Sequence, residues 1–163
     1  MVKWTPNENF FVSQAFMSGS QTPGDRGSPR GVLDTVASWT PLPKDLPRLK
    51  LMANYDFGWE EDLATRENGR SDWQGYALYA RYELNDKIAL NARWEQFWDD
   101  QGVRTGLGED ALWEMTYGAD YKVYDNLLTR LEYRHDHANT KGFDATTNNT
   151  QDTAMASLIY LFA

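Results

Sequence analysis

The run Arg134-His135-Asp136-His137 is where catalysis would first be sought in this 163-residue chain. A histidine with an acidic partner can act as a general base or acid. In an extended backbone, however, successive side chains point to opposite faces. His135 and His137 then share one face and Asp136 turns away from both. No serine stands in a recognisable nucleophile context, so these residues read as polar groups at a strand mouth, and the chain is expected not to be an enzyme. The stretch "DDQGVRTGLGED" supplies Asp99, Asp100, Glu109 and Asp110, oxygen ligands of the kind Ca²⁺ takes. It lacks the EF-hand spacing and reads as a solvated acidic loop. "GLG" at 106–108 precedes no helix, which leaves a phosphate cradle without support. The chain has no Cys, hence no disulfide, thiol nucleophile or Cys-held metal. No metal and no cofactor are expected.

The larger stock of chemistry is ionic. Arg81, Glu83, Arg93, Glu95, Glu114, Asp120, Lys122, Arg130, Glu132 and Arg134 recur at every second position of several segments. In "KIALNARWEQFWDD" (87–100), Ile88, Leu90, Ala92, Trp94 and Trp98 form one row, and Ala89, Asn91, Arg93 and Glu95 the other. Period-two alternation is the mark of a strand with unlike faces. Similar rows run through 48–60, 73–84, 111–123 and 127–137, with weaker candidates at 9–19, 32–40 and 153–163. That makes about eight strands and little that favours a helix. Links at 41–47, 84–87 and 123–126 are short, whereas those at 19–31, 60–72, 99–110 and 138–152 are long. The fold expected is a single all-β domain over residues 1–163, an antiparallel up-and-down barrel.

What lies against the apolar rows is the next question. Aromatics make up 14% of the chain, with seven Trp and nine Tyr, yet mean hydropathy is −0.68. A helical membrane protein needs apolar runs of ~20 residues, and none occurs. A transmembrane barrel needs only alternate residues to be apolar. A soluble antiparallel barrel or sandwich would hide the same rows in a core. Placement of the aromatic residues favours the membrane. Trp59, Trp73, Trp98 and Trp113 lie by the long links; Trp39, Tyr82, Tyr121 and Tyr124 lie by the short turns. Two such belts suit the headgroup levels of a bilayer. Leu78, Ile88, Leu90, Trp94, Met115, Tyr117 and Leu131 then face lipid, and the ionic row faces a lumen. An outward Arg near the midplane costs ~2–4 kcal/mol, so a one-residue slip is strongly disfavoured. The net charge of −8 argues against nucleic acid as a partner.

The runs "ARWEQFWDDQGVRTG" and "LWEMTYGADYKVYDNLLTRLEYRHD" resemble the carboxy-terminal half of the OmpL-like β-barrel porin family of Gram-negative outer membranes. "VKWTPNENFFVSQAFMSG" is similar to that family's midsection. The resemblance implies an outer-membrane barrel with a solute-diffusion role. Two features depart from it. Such porin-like chains are longer, so this chain is expected to be a shortened relative or part of a larger barrel. Their last strand tends to end on an aromatic residue, whereas here Phe162 precedes Ala163. The start "MVKWTPNENFF" shows no signal peptide.

Two functions follow from these readings. One is passive diffusion of small polar solutes through a charged lumen. The other is a small closed barrel whose lumen is filled by side chains, as about eight strands would allow, acting as an anchor or interaction protein. Outer-membrane lipid or detergent is the expected surrounding, and an oligomer is compatible with either.

Overall fold

The computed structural model describes residues 1–20, 29–61, 69–107, 110–144 and 147–162. The strands are β1 (Val2–Asn7), β2 (Phe10–Ser20), β3 (Pro29–Trp39), β4 (Leu49–Glu61), β5 (Arg70–Glu83), β6 (Ile88–Asp99), β7 (Asp110–Tyr124), β8 (Leu127–Ala138) and β9 (Thr150–Tyr160). All nine lie in one antiparallel sheet in chain order. No described residue is helical.

The expectation of about eight strands is corrected to nine among the described residues. The additional one is β1, whose alternation Pro6 and Asn7 cut short after "VKW". Pro6 has no N–H to give a neighbour, and the β1–β2 register shifts between Trp4 and Asn7. The odd count makes β1 and β9 run in the same direction. They are the two edges of the sheet and do not pair with each other. A closed barrel was expected; the sheet itself is open.

Several strands also outrun their expected bounds. Pairs Glu60↔Ser71 and Glu61↔Arg70 carry the β4–β5 ladder past Trp73, where the polar residues had read as loop. The difference in connection length is therefore milder than expected, since 40–48 is as long as 62–69. In β7 a bulge falls between Lys122 and Tyr124. An extra residue in one strand breaks the alternation, so Tyr121 and Tyr124 come to lie on the same face despite their odd spacing.

Register assigns each residue to a face. One row reads Phe10, Trp39, Leu51, Ala80, Ala92, Tyr117, Tyr133, Ala154 across β2 to β9. The next row, on the other face, reads Phe11, Ser38, Met52, Tyr79, Arg93, Thr116, Arg134, Thr153. Burial is the reverse of a water-soluble protein's. Leu90, Tyr117 and Leu131 are 45%, 52% and 65% exposed, while Glu114 and Asp120 are 4% and 3% exposed. Among the described residues, the buried hydrophobic side chains are Trp73, Ala77, Ala89 and Ala138 alone. Soluble domains bury Leu, Ile and Phe and leave carboxylates in water. Among the described residues, no kernel of large apolar side chains holds this sheet together.

Candidate functional site

The ionic face carries two clusters, each built on a carboxylate from β7. Asp120 accepts hydrogen bonds from Arg130 Nε at 2.7 Å and Nη2 at 3.1 Å, and from Arg81 Nη1 at 2.6 Å. Arg81 also donates to Asn91 Oδ1 at 2.9 Å and lies 3.7 Å from Glu83. Bonds from charged donors are the strong class of hydrogen bond, which allows Asp120 to be buried as an anion.

The second cluster lies nearer the ends joined by 62–69, 100–109 and 139–149. Register sets Glu95, Glu114 and Asp136 directly opposite one another, a like-charge row that is unfavourable alone. The adjoining row holds Arg93, Thr116 and Arg134. Arg93 Nε donates to Glu114 Oε1 at 2.6 Å, and Arg134 Nε pairs with Glu114 Oε2 at 2.7 Å. Thr116 Oγ1 donates to the same carboxylate at 3.1 Å, Arg134 Nε also donates to Asp136, and Arg93 sits 3.3 Å from Glu95. The arginine row is what makes the acidic row tolerable.

A hollow of about 320 Å³ opens between the clusters, lined in part by Lys50, Arg81, Arg93, Arg130 and Glu132. Lys122 also points to this face and reaches Asp125 at 3.4 Å. Thus Arg81, Glu83, Arg93, Glu95, Glu114, Asp120, Lys122, Arg130, Glu132 and Arg134 share one face. The opposite face gathers Leu78, Ile88, Leu90, Trp94, Met115, Tyr117 and Leu131. There, a trough of about 490 Å³ runs over Ala37, Ala53, Ala80 and Ala92, rimmed by Trp39, Leu78, Trp94 and Tyr117.

Residues 1–162 match the family described as Putative beta-barrel porin-2, OmpL-like. The chain belongs to this porin family. No curated protein and no solved structure matches it significantly.

The porin-family sheet distributes its aromatic residues unequally. Trp39, Trp59, Trp98, Trp113, Tyr121 and Tyr124 are on the apolar face. Trp113 stacks between Trp94, at 5.2 Å, and His137, at 5.4 Å. Trp73 is the correction. It had been grouped with the lipid-side aromatics, but it pairs with Gly58 on the ionic face. Its ring covers Gly58 so closely that an added Cβ would stand 2.2 Å away. A side chain at Gly58 would evict the indole.

His135 and His137 lie on the apolar face, and Asp136 is turned to Arg134 on the other. The acidic neighbour of His135 is Asp152, with Nδ1 2.7 Å from Oδ1, and Tyr133 donates to that same oxygen at 2.7 Å. This contact joins residues 17 apart and needs the β8–β9 register to be seen. Among the described residues, no three His, Asp or Glu side chains are grouped to hold a metal ion. Of the candidate calcium ligands, Asp99 is wholly buried and bonded to its own loop. Glu109 lies outside the described residues.

Proposed function

We propose that this chain forms the wall of an outer-membrane β-barrel, with the apolar face against lipid and the ionic face lining a water-filled lumen. Small polar solutes would diffuse passively along the arginine and carboxylate rows. The inverted burial carries this reading: carboxylates are hidden and paired while leucines and tyrosines are bare. A sheet so exposed would expel that surface from water, yet it suits hydrocarbon without rearrangement. The outward aromatic residues at the two ends of the strands act as a girdle at the headgroup levels, and acyl chains fill the alanine-floored trough.

Hydrocarbon also demands that β1 and β9 have partners, since unpaired edge N–H and C=O groups cost several kcal/mol each. Closing the sheet into a barrel meets this demand. Joining β1 directly to β9 makes one parallel seam. An odd number of intervening strands keeps every pairing antiparallel.

A second reading is a filled lumen, and the near-complete burial of Glu114 and Asp120 favours it. In that case, the clusters act as a packed polar core and the protein as an anchor. Planar-bilayer recording separates the two. Steady ohmic steps that change when Arg93 or Arg130 is neutralised support diffusion. Electrical silence from folded, inserted protein supports the filled barrel.

A further inference from the structure

The segment that follows β6 is folded inward over the ionic face. Asp99 closes β6 and is wholly buried. Its carboxylate accepts hydrogen bonds from the N–H groups of Val103, Arg104 and Thr105 at 3.0, 2.8 and 2.8 Å, and from the Thr105 hydroxyl at 3.0 Å. Gly102, at φ 66°, reverses the chain and donates its N–H to the Asp99 carbonyl at 2.9 Å. Gly106, at φ 73°, donates to the carbonyl of Gly102 at 2.9 Å. Both positions require the left-handed conformation that glycine tolerates. Residues 99–107 therefore form one self-bonded unit.

That unit is tied to strands it does not adjoin. The Arg104 guanidinium pairs with Glu60 of β4 and lies 4.3 Å over the ring of Trp73 of β5. Gln101 Oε1 accepts the Asp72 N–H at 3.2 Å. On the far side, Leu107 packs against Gly142, where an added Cβ would come within 2.6 Å. Since β4 lies two strands from β6, Arg104 reaches across about 10 Å of the ionic face. Glu60 is already bound by Arg30 of β3 at 2.9 Å. Two guanidiniums on one carboxylate leave that trio with one positive charge in excess.

We propose that segment 99–107 narrows the lumen mouth, and that Arg104 fixes there the charge that favours small anions. The inference rests on the reading of the ionic face as a lumen wall. Arg104 suits the task because the plane of its guanidinium is held by Trp73. A fixed cation at a narrow point weights permeation toward anions. Asp99, Glu60 and Trp73 act as positioning residues.

The test is reversal potential under a KCl gradient in planar bilayers, using the full chain. Wild type is expected to favour chloride. Arg104→Glu should shift the chloride-to-potassium permeability ratio toward potassium by roughly threefold or more, and Arg104→Lys should retain the wild-type sign. Asp99→Asn should raise conductance by releasing the segment. Conducting channels whose reversal potential ignores Arg104→Glu overturn this inference alone. Silence of folded wild-type protein overturns the diffusion reading and this inference together.

Discussion

Replacing Leu131 by arginine asks the sheet which face meets hydrocarbon. Leu131 is 65% exposed and lies between Ala119 of β7 and Ala156 of β9. It stands within two residues of the middle of β8 (Leu127–Ala138). An arginine facing lipid near the midplane costs ~2–4 kcal/mol, falling to ~0–1 kcal/mol at the interfaces. Snorkelling of the long side chain would bring Leu131→Arg toward the lower half, about 2–3 kcal/mol. That is a roughly 30- to 150-fold loss in the folding equilibrium at 1.36 kcal/mol per decade. The control is Met155→Arg, on the ionic face directly opposite Glu132. An opposite-charge cross-strand pair contributes ~0.2–1 kcal/mol, so this change should be close to neutral. Urea unfolding in lipid vesicles, followed by tryptophan fluorescence, reads both variants. In a water-facing sheet the order would invert, with Leu131→Arg harmless on an exposed surface. That inverted order would refute the reasoning.

Further predictions concern the ionic face and its aromatic cover. Glu114→Gln removes the charge shared by Arg93 and Arg134. With both arginines part-exposed, the loss should be about 1–3 kcal/mol, measured by the same unfolding assay. Gly58→Ala drives a Cβ into the Trp73 ring and should cost about 1–3 kcal/mol. Gly19→Ala, which meets nothing within 4 Å, serves as its control and should cost far less. Single-tryptophan variants should divide by face in vesicles of brominated lipid. Trp59 and Trp98 should be quenched, while Trp73, buried on the other face, should stay bright.

Much of this was legible from alternation. The rows through Ile88–Glu95 and Arg130–Arg134 keep period two because each strand presents two unlike faces. Lys122 and Glu132 fell on the ionic face for the same reason. Only "VKW" marked β1 in the sequence, because Pro6 and Asn7 weaken both propensity and pattern after it. Tyr124 reaches the apolar face only through a bulge, and no residue type announces the extra position. Trp73 was misassigned through its type, since a tryptophan at a strand end usually implies an interface. Its parity with Gly75 and Ala77 already pointed the other way. Asp99 read as part of a solvated acidic loop, but it is buried, and its partners are mainly backbone N–H groups brought to it only once 99–107 has folded. The Arg104–Glu60 contact spans two strands, so register had to be known before it could be seen.

The central claim is that the Leu90 and Leu131 rows face lipid and the Arg93 row faces water. Site-directed spin labelling tests it most directly, and the cysteine-free chain makes single labels straightforward. Labels at Leu90, Tyr117 and Leu131 in vesicles should relax with dissolved oxygen and be indifferent to a water-soluble nickel chelate. Labels at Arg93 and Glu132 should show the opposite preference. Nickel access at Leu90, Tyr117 and Leu131 with none at Arg93 and Glu132 would contradict the account.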